Sequence, residues 1–91
     1  MKINDKDIFI TSAARTPIGT FNGSLKDFQA KDLGAIVIKK NLNESNLQPS
    51  DIDEVVMGQV LTGGVGQNPA RQAAIQGGVP TEKTAYLINQ V

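Results

Sequence analysis

The chain has 91 residues, enough for one small domain or a segment of a larger one, and a chain of that size buries only about 60–65% of its unfolded surface. Nine basic and nine acidic residues cancel, so no net field steers it toward nucleic acid or an anionic membrane. It has no cysteine and no histidine, which excludes disulfides, thiolate metal sites, and the commonest general base and metal ligand from these positions.

Hydrophobic residues make up 40% of the chain, enough for a core and unlike the composition of disorder. Met1 to Asp7 mixes Lys2, Asp5, Lys6 and Asp7, which is not the basic start and apolar run of a leader. No window approaches the roughly 18–20 apolar residues of a membrane span. The expected compartment is the cytoplasm.

In chain order, Ile8-Phe9-Ile10-Thr11-Ser12-Ala13-Ala14 is an apolar run of strand length without alternation, which predicts a strand covered on both faces. Pro17 and Gly19 end it, and residues 19 to 26 form a loop. A helix is expected from about Ala30 to Ser45, with Asp32 favourably placed in its first turn. Leu33, Ile36 and Val37 share one side of it and Ala35, Ile38 and Leu42 the other, so more than one side should be covered, as in a larger assembly. Asn46 suits a left-handed cap, and Pro49 forbids continuation.

Residues 49 to 53 read as a turn or single helical turn, with Ser50 as cap and Asp53 in capping-box position. Glu54 to Leu61 forms the second expected strand, followed by the glycine-rich loop Thr62-Gly63-Gly64-Val65-Gly66-Gln67. Asn68 as N-cap and Pro69 at the first helical position announce a second helix, ended by Gly77-Gly78. Ala70, Ala73, Ala74 and Gly77 fall on one face at spacings of three and four, so another backbone should pack closely there. Thr84 to Ile88 is the third expected strand. This order of strand, helix, strand, helix, strand predicts an α/β layer with a largely parallel sheet. No linker divides residues 1–91.

Few side chains here can do chemistry. The loop Gly63 to Gly66 leads to a helix start, where anions bind, yet it lacks the lysine and hydroxyl of a phosphate loop and the spacing of a dinucleotide fingerprint. A structural connection is the commoner reading. Arg15 and Arg71, the only arginines, could clamp a carboxylate or phosphate, though pairing with an internal or neighbouring acid is the more common use. Asp51, Asp53 and Glu54 surround a cap rather than a cleft, so no carboxylate acid–base pair is expected. Tyr86 is read as a packed side chain rather than a catalytic phenol. The residues alone thus predict an α/β layer without a catalytic set.

Three strings carry the reading further. SAARTPIGTFNGSL, DIDEVVMGQVLTGGVGQNPARQAA and YLINQV resemble the N-terminal portion of the thiolase family, in order and at matching spacing, from about Ile8 to Val91. The sequence departs from that pattern at Asn46, Gly64, Gly78 and Leu87, none of which has a chemical role in the family.

The resemblance implies an αβαβα layered fold with a mostly parallel sheet, of which residues 1–91 would be the first part of the N-terminal domain. It implies an acyl transfer, with two acetyl-CoA giving acetoacetyl-CoA and CoA or the reverse thiolysis, through an acyl-cysteine. That nucleophilic cysteine would follow Val91, so no catalytic and no cofactor- or metal-binding residue is expected among these 91. Asn89, Gln67 and Arg71 would support the site or a subunit interface, with Asn89 fixing the turn by bonding to backbone groups. Coenzyme A thioesters would be substrates, with no separate cofactor. The remainder of a thiolase chain and a homo-oligomer, dimer or tetramer, would be the partners, and Ala73→Leu would disrupt assembly. A reading from another class is a non-catalytic thiolase-like association module.

Overall fold

The computed structural model describes residues 2–91. Met1, the first residue of the stretch read above as unlike a leader, lies outside them. The elements in chain order are helix α1 (Ala30–Ser45), a 3-10 turn (Pro49–Asp51), strand β1 (Glu54–Gly58), helix α2 (Pro69–Gln76) and strand β2 (Thr84–Ile88). The two strands pair in parallel, with Glu54 opposite Thr84 and Gly58 opposite Ile88. Parallel neighbours need a crossover between them. Here α2 supplies it.

Both ends of α1 follow from local chemistry. Asp32 Oδ2 accepts the Gln29 N–H at 2.9 Å, one arm of a capping box. At the other end Asn46 takes φ 55°, and the Leu47 N–H reaches back to the Leu42 carbonyl at 3.3 Å. That bond is the signature of a left-handed helix stop. α2 ends the same way, with Gly78 at φ 102° and the Val79 N–H on the Ala74 carbonyl at 2.9 Å.

Leu42, Val55, Ala74 and Val79 form the core, flanked by half-buried Ile38, Ile52, Met57 and Ala85. Ala70, Ala73 and Ala74 are each 1% exposed. The backbone they admit is that of α1: a Cβ built on Gly34 would lie 3.2 Å from the Ala73 Cβ, and one built on Gly77 only 2.8 Å from Ile38 Cγ2. The small-residue face is therefore used inside the chain, between α1 and α2. Ala73 thus has its close partner inside the chain. The second side of α1 also faces its own chain, because Leu33, Ile36 and Val37 line a cavity of about 310 Å³ shared with Arg15, Pro17, Leu25 and Phe28.

Three further expectations change. Residues 8–14 form no strand; Ile8 and Ile10 are 96% and 92% exposed. The segment has no ladder partner among the described residues and is held by hydroxyls instead. Thr11 Oγ1 and Ser12 Oγ each lie 2.9 Å from Ser45 Oγ, and Ser12 Oγ donates to the Asn41 carbonyl at 3.2 Å. The second strand stops at Gly58 rather than Leu61, because β2 ends opposite it at Ile88. The capping pair around the 3-10 turn is Gln48 with Asp51, not Ser50 with Asp53: the Gln48 N–H donates to Asp51 Oδ2 at 2.9 Å.

Candidate functional site

Ligands of parallel α/β sheets bind outside the carboxyl ends of the strands. In this molecule those ends are Gly58 and Ile88. The chain leaves both strands there and the two exits are laced together. The Gln59 N–H donates to the Ile88 carbonyl at 3.1 Å, which extends the pairing by one step. Asn89 Nδ2 donates to the Val60 carbonyl at 3.1 Å, and Gln59 Nε2 to the Leu61 carbonyl at 2.9 Å. A cleft of about 290 Å³ opens beside this lacing, with Val56, Gln59, Ile88 and Gln90 on its walls. The position and direction of residues 88–90 are thereby set by the segment that follows β1.

A second cluster forms at the start of α2. Asn68 adopts φ 42°; its Oδ1 accepts the Arg71 N–H and its Nδ2 donates to the Ala85 carbonyl, both at 3.1 Å. One side chain thus caps the helix and ties it to β2. Gln72 Nε2 donates to the Gln67 carbonyl at 2.7 Å and the Val65 carbonyl at 3.1 Å, closing the glycine-rich loop over the helix start. Arg71 Nη1 donates to the Lys83 carbonyl at 2.7 Å, and Nη2 to the Thr81 carbonyl. Its guanidinium fork therefore holds the backbone entering β2. This corrects the expected pairing with a carboxylate. Arg15 likewise donates to a carbonyl, that of Thr16, at 3.1 Å.

The start of α2 offers an anion fewer free donors than a bare helix N-terminus. Pro69 has no N–H, the Arg71 N–H is taken by Asn68 Oδ1, and the Gln72 N–H by the Asn68 carbonyl at 3.1 Å. Among the described residues no cluster of acidic side chains has the geometry of a metal site.

Gln67 and Arg71 thus belong to one cluster, at the entry to β2, whereas Asn89 stands beyond its exit. Five residues of strand separate them, about 17 Å. Gln59, which bonds within the exit cluster, and Gln72, which bonds within the helix-start cluster, were given no role from sequence. Neither position carries a periodic signal, and their roles depend on where loops fold back. Tyr86 is also not packed. It is 42% exposed, and its hydroxyl donates to Glu54 Oε1 across the strands at 3.1 Å. That hydrogen bond, with the carboxylate's charge, raises the phenol's pKa above its usual value. The shift disfavours a phenolate and with it a proton-accepting role at neutral pH.

Residues 8–91 match the family described as "Thiolase, N-terminal domain". An acetyl-CoA acetyltransferase of Cupriavidus necator is 54% identical over 85 residues, which is 93% of this chain and 22% of that protein. A probable acetyl-CoA acetyltransferase of Escherichia coli is 49% identical over 86 residues, 94% of this chain and 22% of the relative. The crystal structure of the Acat5 thiolase from Ascaris suum in complex with coenzyme A superposes with a TM-score of 0.91 at 43% identity, covering 94% of this chain and 22% of that one. The chain spans about a fifth of the length of these relatives.

Proposed function

The chain belongs to the thiolase family through that family's N-terminal domain, and from this we propose that it builds and aims the acyl-transfer site of an acetyl-CoA acetyltransferase. The whole enzyme condenses two acetyl-CoA into acetoacetyl-CoA and CoA, or runs the thiolysis in reverse. A cysteine thiolate attacks the thioester carbonyl, CoA leaves, and the acyl-cysteine then passes its acyl group to the second substrate. The names of the relatives from Cupriavidus necator and Escherichia coli support this reading, as does the coenzyme A complex of the Ascaris suum thiolase.

The observation that carries the assignment of these residues is the lacing at the carboxyl edge of the sheet. The family resemblance puts the nucleophile directly after Asn89-Gln90-Val91. Asn89 and Gln59 fix that exit to the β1 side through the Val60 and Ile88 carbonyls. A misplacement of about 1 Å at a nucleophile costs on the order of 100-fold in rate, so such bracing has a clear use. Gln67 and Arg71 act one step back, holding the loop and the entry to β2. On the same reading the working form is a cytoplasmic homo-oligomer, a dimer or tetramer, with coenzyme A thioesters as substrates.

The test is made on the full-length polypeptide. Purified protein should cleave acetoacetyl-CoA in the presence of CoA and carry an acetyl group on a single cysteine after brief exposure to acetyl-CoA. Asn89→Ala should slow formation of that acyl-enzyme about tenfold, the weight of one positioned hydrogen bond near 1.4 kcal/mol. Protein that folds but neither cleaves acetoacetyl-CoA nor acylates would overturn the assignment. Unchanged acylation in Asn89→Ala would remove Asn89 from it.

A further inference from the structure

We propose that Asn22-Gly23 is a site of spontaneous backbone rearrangement, at which the asparagine side chain cyclises onto the next amide and opens to aspartate or isoaspartate. The proposal is independent of the acyl-transfer reading. The bend at residues 20–23 dictates both residues. Asn22 stands at φ 54°, where asparagine or glycine is favoured over other residues. A Cβ at Gly23 would run into Thr20 Oγ1 and lie 2.9 Å from the Thr20 carbonyl oxygen, so a side chain there is shut out. The turn thus demands an asparagine-like residue followed by glycine, the pair in which nothing shields the side-chain amide from the next backbone nitrogen.

In the step itself, the deprotonated Gly23 nitrogen attacks Asn22 Cγ and forms a new N–C bond. The C–N bond of the side-chain amide breaks and ammonia leaves, giving a five-membered imide. Water then opens the imide at either carbonyl. One product is aspartate at this position, and the other is isoaspartate, whose backbone is one carbon longer. Atoms balance with water as the only co-reactant. Asn22 is exposed, with its neighbour Phe21 at 97%, so water reaches the imide. The native brake is one hydrogen bond, from the Gly23 N–H to the Thr20 carbonyl at 2.9 Å. Attack requires it to open, and bonds at exposed loop tips open most readily.

The molecule supplies its own control. Asn46 has nearly the same backbone, φ 55°, but Leu47 follows it, and the Leu47 N–H is held by the Leu42 carbonyl in the helix stop. Asn68 is followed by Pro69, which offers no N–H at all. If a left-handed asparagine followed by any N–H were sufficient, Asn22 and Asn46 would both react; if the glycine and the loose turn decide, Asn22 alone of the three does.

The experiment incubates the purified full-length polypeptide at neutral and mildly alkaline pH at physiological temperature and follows it by peptide mapping. The expected result is an amide-to-acid mass gain in the peptide containing Asn22, split into two isomeric peaks with isoaspartate the larger. The rate should rise with pH, because attack needs a deprotonated amide, and the Asn46 peptide should convert at least severalfold more slowly. Asn22→Gly, which keeps the left-handed position, should abolish the gain. No conversion at Asn22, equal conversion at Asn46, or a rate indifferent to pH would each overturn the proposal.

Discussion

Asp32 concentrates more hydrogen bonds than any other acidic side chain among the described residues. Its Oδ2 accepts the Gln29 N–H at 2.9 Å, while Oδ1 accepts Gln76 Nε2 at 3.1 Å and Lys31 Nζ at 3.2 Å. One carboxylate thus caps α1 and links it to the last residue of α2. These bonds favour the charged form, the backbone one most, and lower its pKa. A carboxylate lowered on folding stabilises the protein above its unfolded pKa, near 3.9, and that contribution is lost as pH falls through the lower folded value. Asp32→Asn keeps an acceptor for Gln29 but removes the charge. Its thermal midpoint should lie below the wild type's above about pH 4 and converge with it in more acid solution. A gap that persists unchanged through the acid range would show that the charge contributes nothing. Arg71 is another side chain that ties separate segments together. Arg71→Lys keeps the charge but loses the fork to the Lys83 and Thr81 carbonyls, an expected loss of about 1–3 kcal/mol in denaturant unfolding.

At the scale of elements, both helices and the parallel pair β1 and β2 were readable from sequence, whereas the first expected strand was not. Asn46 and Pro69 act within a turn of their own positions, so the stop of α1 and the start of α2 could be named from residues alone. The stretch 8–14 has the composition of a strand, yet a strand exists only by its partner. Its isoleucines point into open space, and two serines and a threonine hold it to the end of α1 instead. The candidate site divides along the same line. Asn68 and Arg71 were legible as residues of a helix start, whereas the Gln59 and Gln72 contacts depend on loops whose paths no periodicity records.

The packing of α1 on α2 gives a graded test. Gly77→Ala would press a Cβ to 2.8 Å from Ile38 Cγ2, 3.0 Å from Ile38 Cβ and 3.1 Å from the Ala73 carbonyl. A β-branched side chain and a helix backbone cannot yield, so the cost should be about 1–3 kcal/mol. Gly34→Ala meets Met57 Cε at 3.1 Å and Ala73 Cβ at 3.2 Å. Methionine's flexible end can move, and alanine is the better helix former by about 1 kcal/mol, so this variant should be near neutral. Denaturation curves for the two variants that coincide would refute the assignment of Ile38 as the rigid wall. Asn46→Ala should lose about 1 kcal/mol in the same measurement, since its φ of 55° disfavours a Cβ without a compensating side-chain bond.

On the scale of the whole molecule, size and surface disagree. A compact monomer of 9.7 kDa should expose about 5,100 Å², but this chain exposes 7079 Å². Its radius of gyration is 14.7 Å, against about 12 Å for a compact domain of this length. The chain therefore buries about half of its unfolded surface rather than the usual 60–65%. Much of the excess is apolar: Ile8, Ile10, Ile18 and Phe21 are each more than nine-tenths exposed, and Leu61 is 83% exposed. Exposed apolar area on this scale favours association. Among the described residues no large side chain is fully buried to oppose it, since only alanines in the core fall as low as 1% exposed. Residues 1–91 produced alone should therefore bind a hydrophobic dye strongly, unfold over a broad temperature range and self-associate as concentration rises. The same residues within a full-length thiolase chain should bind little dye and melt sharply, because the stretches 8–10, 18–21 and 61 would then lie against other protein. A sharp, concentration-independent transition and weak dye binding for the 91 residues alone would show that the α1, α2 and sheet contacts suffice by themselves, and that the surface excess is tolerated rather than covered.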